Sequence, residues 1–248
     1  MSHSEIDSLL EGQQAYYRAR AGEYDDWWER RGRFDRGPVH RRAWVEEIGQ
    51  LVAELDSFAP TGDVLELAAG TGNWTRQLAR HADRITAVDG SPETLEINRR
   101  KSRGTGEIDY VVADLFNWEP SRRFDVVMLG FWLTHVPDER LDEFWALIER
   151  ALAPDGRVFI LDSAHPDLAT KEAGARYDVH YESAAAAHGT LDGESHRAIR
   201  SLGDGREFQI VKRFWRPGEF IADTTRRGWR FEAEETDRFF FTAHGFHA

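Results

Sequence analysis

The sequence predicts an α/β fold in which helices cover both faces of a doubly wound, mostly parallel sheet. Five short apolar runs, helical segments between them and a glycine turn directly after the first run support this prediction. Short apolar runs are typical of strands that are buried on both faces. Alternating strands and helices favour a parallel sheet, because right-handed crossovers place the helices on its two faces.

The first part of the chain is predicted to be helical. Between Ile6 and Tyr17, and again between Trp44 and Leu55, large and apolar residues recur with the period of one helical face. The alternation of strands and helices begins after these two segments. The five predicted strands are residues 64–67, 85–88, 108–112, 124–129 and 158–161.

Local signals define the connections between these strands. Ser91 followed by Pro92 is typical of a helix N-cap with proline at the first helical position. Apolar residues at the helical spacing from Leu141 onward predict a helix before the fifth strand. Residues 153–156, Ala-Pro-Asp-Gly, predict the turn that leads into that strand.

The regular alternation stops after the fifth strand. Residues 163–203 are rich in His, Ala, Gly and charged residues and have no clear period, so we expect an inserted loop or cap. Regular elements are expected again further on. They are a strand at 206–215, a helix at 217–227 and a closing antiparallel pair at 229–235 and 239–246.

Composition limits the partners and the chemistry. The 44 acidic residues against 32 basic ones leave a formal charge of -12, which repels nucleic acid and anionic membranes, so neither is an expected partner. The chain has no cysteine, which excludes disulfides, zinc-thiolate sites and thiol nucleophiles. Because the sequence contains neither a secretion-type leader nor an apolar stretch of bilayer length, we expect a cytoplasmic protein.

A glycine turn and a later acid indicate a nucleoside ligand. Gly70 and Gly72 follow the first strand, where small residues let a ligand approach the backbone and the next helix offers free N–H groups. Asp89 ends the second strand, where a carboxylate can accept both hydroxyls of a ribose. A dinucleotide enzyme would carry a third glycine where this chain has Thr75. The pattern therefore favours an adenosine-type ligand without a pyrophosphate.

Five motifs in the same region resemble those of a known family. They are VLELAAGTG at 64–72, AVDGSP at 87–92, ADLF at 113–116, FDVV at 124–127 and LAPDGR at 152–157. In this order they are similar to the class I, Rossmann-like S-adenosylmethionine-dependent methyltransferases, especially the small-molecule enzymes of the ubiquinone and menaquinone methyltransferase group. The resemblance implies S-adenosylmethionine as cofactor and S-adenosylhomocysteine as product.

The resemblance also implies a domain layout. The 248 residues are expected to form a single methyltransferase domain. Its expected parts are an N-terminal helical lid (1–58), a cofactor-binding core (63–162), an insertion or cap (163–215) and a C-terminal helix with antiparallel strands (216–248).

The same resemblance assigns roles at the cofactor. Gly70 and Gly72 would pass under the methionine and ribose, Asp89 would hold the ribose, and Asp114 would accept the adenine amino group. Glu66 would fix the turn, although capping a neighbouring helix explains it equally well. Ala68 stands where the family usually has its first glycine, a departure that affects the methionine end. The expected cofactor-binding residues are Glu66, Ala68, Gly70, Gly72, Trp74, Asp89, Gly90, Asp114, Leu115, Phe116, Gly130 and Phe131.

The methyl acceptor is expected beside the end of the fourth strand, since ligands of parallel sheets bind beyond the carboxyl ends. His135 is the candidate catalytic base because an ordinary histidine pKa suits proton acceptance at neutral pH. A histidine before Val-Pro can instead hydrogen-bond the backbone at a helix start. The expected substrate-binding residues are Tyr17, Tyr24, Trp28, Trp132, His135 and His165.

Two further segments have alternative interpretations. The aromatic and basic stretch at 16–28 is similar to the family's lid, and the alternative is an amphipathic helix packed on the sheet. Four histidines in the insertion suggest a metal, but their spacing matches no compact ligand motif, so no metal is expected. These residues are His165, His180, His188 and His196.

The sequence thus predicts methyl transfer to an O, N or C centre of a small, aromatic or heterocyclic metabolite. One alternative is a nicotinamide-dependent oxidoreductase, which the missing third glycine and the lack of a convincing Tyr-x-x-x-Lys pair disfavour. Another is a non-catalytic module that binds S-adenosylmethionine. The expected oligomeric state is a monomer or a homodimer.

Overall fold

The structure, a computed structural model, describes residues 3–165 and 196–248. Helices and strands are numbered here in chain order within those residues. The helices are α1 (His3–Arg20), α2 (Tyr24–Trp28), α3 (Pro38–Phe58), α4 (Thr75–Leu78), α5 (Pro92–Lys101), α6 (Leu141–Ala151) and α7 (Pro217–Arg226). The strands are β1 (Asp63–Leu67), β2 (Arg84–Asp89), β3 (Ile108–Val112), β4 (Phe124–Gly130), β5 (Leu152–Ser163), β6 (Arg197–Ser201), β7 (Glu207–Val211), β8 (Trp229–Glu235) and β9 (Phe240–His247).

In the described part of the chain, seven strands form one sheet in the order β3-β2-β1-β4-β5-β9-β8. Strands β1 to β5 pair in parallel, whereas β9 runs antiparallel to both β5 and β8. The predicted fold class is confirmed, including the C-terminal antiparallel pair. The strand order reverses between β1 and β4, and this switch point opens a crevice at the carboxyl ends of these two strands.

Helices cover the sheet on both faces because alternate residues of the buried strands point in opposite directions. On one face, Phe144 and Ile148 of α6 pack against Leu65 and Val127. On the other face, helices α3 and α5 contribute to a second cluster, which includes Val64 and Val126 of the same strands. The predicted helix at 141–151 therefore buries its apolar face as its spacing requires.

The predicted N-cap at Ser91 and Pro92 is confirmed. The Ser91 hydroxyl accepts a hydrogen bond from the Thr94 N–H at 3.2 Å, which caps α5, and Pro92 occupies its first turn. The predicted turn at 153–156 falls between two paired positions of β5, Leu152 and Arg157, and its four residues have no partner in β4. These residues lie inside β5, where the pairing with β4 shifts register. A bulge takes up the extra residues without ending the strand.

The segment after β5 holds a strand that the sequence did not predict. Strand β6 pairs antiparallel with β7 as a separate two-stranded sheet, and this hairpin packs on α1. Alternation was hard to recognise because charged residues occupy both faces of β6. Residues 166–195 of the expected insertion, with His180 and His188, lie outside the described residues. Within the described ranges, no helix has the length and apolar character needed to cross a membrane.

Candidate active site

A cavity of about 360 Å³ lies at the switch point. The loops that follow β1, β2, β3 and β4 form its floor and walls, and α1 covers it from above. A volume of this size falls within the usual range of small-molecule sites. The predicted residues that line it are Tyr17, Tyr24, Ala68, Gly70, Asp89, Gly90, Asp114, Leu115, Phe116, Gly130, Phe131 and Trp132.

Other predicted site residues do not line this cavity. Trp28 and Trp74 form a second layer, with their rings 5.7 Å apart, and Trp28 lies 5.9 Å from the ring of Phe131. His165 lies apart, where its Nδ1 is 3.2 Å from an Arg216 nitrogen and its N–H donates to Glu235. The full set outside the lining is Trp28, Glu66, Gly72, Trp74, His135 and His165.

Asp89 is held at the centre of the site by three donors. Its Oδ2 accepts from the Gly70 N–H at 2.8 Å, and its Oδ1 accepts from the Ser91 N–H at 2.8 Å and from Thr94 Oγ1 at 3.1 Å. Burial raises the pKa of this carboxyl, and these hydrogen bonds oppose the rise. The carboxylate thus ties the glycine turn to the start of α5 while it faces the cavity.

Glu66 acts on the turn from behind the cavity. It is 2% exposed, and its Oε2 accepts from Thr75 Oγ1 at 2.5 Å at the start of α4. Thr75 in turn accepts from Asn98 Nδ2 at 2.7 Å, which connects α4 to α5. Burial raises the pKa of Glu66 to about 8, since its carboxylate would lose more hydration than one hydroxyl restores.

The residues of the glycine turn have different physical requirements. Gly70 has a φ of 54°, and a Cβ there would meet no atom closer than 3.9 Å, so its open side faces the cavity. A Cβ on Gly72 would lie 2.4 Å from Asn98 Oδ1, so packing against α5 requires this glycine. Ala68 has a φ of 55°, a left-handed conformation that costs a residue with a Cβ about 1 to 2 kcal/mol.

Asp114 is oriented by its own loop. Its Oδ1 accepts from the Phe116 N–H at 3.1 Å and its Oδ2 from Asn117 Nδ2 at 2.6 Å. The loop thereby presents a carboxylate and an aromatic ring side by side at one end of the cavity.

Helices α1 and α2 form a helical cover over the cavity, and ion pairs hold it at both ends. Lys101 Nζ lies 3.0 Å from both oxygens of Asp25 on α2, and the Thr71 hydroxyl donates to Asp25 at 2.8 Å. Near the start of α1, Asp7 accepts from Arg140 at 2.8 Å. These contacts place the cover directly over the glycine turn and over the adjoining walls.

Tyr17 and His135 form a hydrogen-bonded pair at the other end of the cavity. The Tyr17 hydroxyl lies 2.7 Å from His135 Nε2, and His135 Nδ1 lies 2.7 Å from the Val211 carbonyl oxygen. Because a carbonyl only accepts, Nδ1 carries the ring proton and Nε2 accepts from Tyr17. Burial lowers the pKa of His135 well below its usual value, and the charge of Lys212 lowers it further. The imidazole is therefore neutral.

Tyr17 of α1 was predicted to bind substrate, but five other lining residues of α1 and several residues that follow β2, β3 and β4 were not predicted. Gln13 is one of these residues. Its Nε2 donates to the His135 carbonyl oxygen at 3.1 Å, and its Oε1 accepts from the Val211 N–H at 3.0 Å. A polar residue on an otherwise apolar helical face was the available signal. The unpredicted lining residues are Asp7, Leu10, Glu11, Gln13, Gln14, Ser91, Thr94, Ala113, Asn117 and Arg140.

The known proteins that this chain resembles are methyltransferases. A family model described as a methyltransferase domain matches residues 64–156. The demethylmenaquinone methyltransferase of Clavibacter sepedonicus is 32% identical over 139 residues, which is 54% of this chain and 54% of that protein. The ubiquinone/menaquinone biosynthesis C-methyltransferase UbiE of Teredinibacter turnerae is 29% identical over 173 residues, 66% of each. The chain thus spans about half to two thirds of the length of these curated relatives.

Solved structures extend the similarity over the whole chain. The complex of DhpI with SAH is 33% identical, covers 100% of this chain and 99% of DhpI, and has a TM-score of 0.74. The DhpI-SAM-HEP complex is 34% identical with a TM-score of 0.76, and it covers 99% of both chains. The likeness therefore includes the helical cover and the C-terminal strands as well as the motif region.

Proposed function

The chain belongs to the class I S-adenosylmethionine-dependent methyltransferases, and we propose that it transfers a methyl group from S-adenosylmethionine to a small molecule. One observation carries the proposal: the switch-point cavity brings together the Gly70 turn, the Asp89 carboxylate and the Asp114 loop. When bound, S-adenosylmethionine supplies an electrophilic methyl carbon on a sulfonium. The residues present fit such a ligand.

The fit rests on the side chains already described. The open face of Gly70 gives room for close approach to the backbone. Asp89 Oδ1 already accepts two hydrogen bonds, whereas Oδ2 accepts one and retains an acceptor site that suits a ribose hydroxyl. Asp114 with the neighbouring Phe116 ring suits an adenine, one as acceptor and the other as an apolar wall.

The acceptor end is aromatic. Tyr17, Tyr24, Phe131 and Trp132 line the cavity there. Flat aromatic walls favour a small, aromatic or heterocyclic acceptor, and they also favour a nearby cationic sulfonium. The nucleophile is an O, N or C centre. We propose the lid over residues 1–58, the core at 63–162, the cap at 163–215 and the C-terminal unit at 216–248 as the working division of this single domain.

A proton released by the acceptor has a route through the Tyr17 and His135 pair. The Tyr17 oxygen retains a lone pair that can accept the acceptor's proton while its own proton passes to His135 Nε2. His135 then acts through Tyr17 and does not line the cavity itself. Its Nε2 is unprotonated and can receive that proton, and the lowered pKa makes His135 a weak base that holds the proton only briefly. Holding the acceptor in line with the methyl group supplies the larger part of the rate.

Isothermal titration with S-adenosylhomocysteine tests the proposal. The wild-type chain should bind it, and Asp89→Asn should weaken binding by about tenfold or more, since one charged acceptor is lost. Asp83→Asn is the matched control, because this exposed carboxyl precedes the same strand at its opposite end and should leave affinity unchanged. No binding at high micromolar concentration, or equal affinities of the two variants, would contradict the proposal.

A further inference from the structure

The charges of three cationic side chains act on the buried His135, which is paired with Tyr17 of the cavity wall. They are Arg20 at the end of α1, Arg200 on β6 and Lys212 directly after β7. We infer that they bind an anionic group of the methyl acceptor, so that the substrate is a small molecule with a carboxylate or phosphoryl oxyanion. The inference rests on the proposed function and narrows it to one chemical class of acceptor.

The β6–β7 hairpin brings Arg200 to this position. Ala198 and Leu202 of the hairpin are buried against Tyr16 of α1. Because side chains alternate along a strand, Arg200 lies on the same face as these two residues and faces α1. Its partner in the ladder is Phe208, whose ring lies 5.6 Å from that of Tyr16. The hairpin therefore places the Arg200 cation on the side of the site that α1 covers.

Arg20 reaches the same place from α1. Its guanidinium carbon lies 5.2 Å from the ring centre of Tyr24, a residue of the cavity wall, and 5.6 Å from that of Trp27. Its Nε is buried and has no hydrogen-bond partner among the described residues. Glu23, a carboxylate that acts on Arg20, is bound to Arg33 at 2.6 Å. A ligand oxygen would give the buried N–H an acceptor.

Lys212 is the most deeply buried of the three. It is 7% exposed, its Nζ donates to Thr134 Oγ1 at 2.8 Å, and it lies 3.8 Å from Asp162 Oδ1. Asp162 already accepts hydrogen bonds from the Thr134 N–H, the Thr134 hydroxyl and the Ser163 N–H. The single negative charge of Asp162 is thus shared between Lys212 and these three hydrogen-bond donors.

The balance of charge favours an anionic ligand. Burial lowers the pKa of Lys212 to about 8, and the charges of Arg200 and Arg20 lower it further while Asp162 opposes them. The two arginines are therefore close enough to Lys212 to repel its charge, in a protein whose formal charge is -12. An oxyanion between them would relieve that repulsion, and guanidinium groups suit carboxylate and phosphoryl oxygens in particular. The charges of Arg20 and Arg200 also act on Tyr17, which lines the cavity.

Titration of simple anions into the full chain saturated with S-adenosylhomocysteine tests the inference. The probes are benzoate, inorganic phosphate and neutral benzamide. At least one anion should bind and benzamide should not, and the preferred anion identifies a carboxylate or a phosphoryl acceptor. Arg200→Gln should weaken that binding by about tenfold or more, because a charge-assisted contact is lost. Arg200→Lys, which keeps the charge but not the planar fork, should show a smaller loss.

Arg206→Gln provides the matched control. This exposed arginine lies in the turn of the same hairpin, pairs with Asp204 and should leave anion affinity unchanged. The inference is overturned if neither anion binds, or if Arg200→Gln and Arg206→Gln weaken binding equally, since the cations would then have a structural role only. If S-adenosylhomocysteine itself does not bind, the proposed function fails. The anion titration without it still decides whether the cationic group is a site.

Discussion

Glu66 provides a sharp physical prediction because it is a carboxyl buried beneath the glycine turn. Its pKa is raised from 4.5 to about 8, mainly by burial, whereas in the unfolded chain it should be ordinary. The folded state therefore binds a proton that the unfolded state releases. A raised folded pKa gives stability that is present at low pH and is lost as the pH rises through about 8.

The size of the effect follows from the shift. Between pH 6 and pH 9 the charged form replaces the neutral one, and the wild-type protein should lose about 3 kcal/mol through this group. Glu66→Gln resembles the protonated acid, and its amide oxygen can still accept from the Thr75 hydroxyl. The variant should therefore exceed the wild type in stability by about 2 kcal/mol near pH 6 and by about 5 kcal/mol near pH 9, so the difference between them grows by about 3 kcal/mol.

Chemical denaturation at the two pH values measures the difference directly. Glu96→Gln is the control, because this exposed carboxyl on α5 pairs with the exposed Arg99 at 3.0 Å and its removal should change little at either pH. A Glu66→Gln difference that stays constant from pH 6 to pH 9 would show that Glu66 titrates normally. The account of its burial would then be wrong.

Three other changes test the site. Tyr17→Phe removes the hydroxyl bound to His135, so methyl transfer to an acceptor that must lose a proton should fall about a hundredfold, with unchanged affinity for S-adenosylhomocysteine; an unaltered rate and pH profile would refute the proton route. Asp25→Asn breaks the ion pair that fastens α2, so stopped-flow release of S-adenosylhomocysteine should be about ten times faster. Asp26→Asn, which affects an exposed pair, should not change it, and equal rates for both variants would contradict the fastening role. Ala68→Gly should raise the free energy of unfolding by about 1 kcal/mol, since glycine accepts the left-handed backbone, and a loss in denaturation experiments would argue against strain there.

Much of the fold could be predicted from the sequence because its strands are buried on both faces. Strands such as β1 and β4 are short apolar runs bounded by turns, and few other structures accommodate that pattern. Helix α6 was equally clear, since a helix that packs on one side must repeat its apolar residues at the helical period. Strand β6 was not clear, because only Ala198 among its five residues is fully buried.

The site was predictable where a motif carries its own local geometry. Gly70 and Asp89 follow directly from the ends of β1 and β2, so their positions depend on few residues. The pairing of Tyr17 with His135 joins residues 118 positions apart and depends on how α1 lies over the sheet. The grouping of Arg200 with Lys212 depends on the hairpin in the same way. Such contacts arise from tertiary packing, which the spacing of residues in one sequence does not encode.

The central claim is that an adenosine-type ligand occupies the switch-point cavity between the Gly70 turn and the Asp89 carboxylate. A crystal structure of the chain grown with S-adenosylhomocysteine tests it most directly. The account predicts the ribose against Asp89 and the adenine beside Asp114 and Phe116. Ligand density at any other place, or side chains that fill the cavity and leave it empty, would contradict the claim.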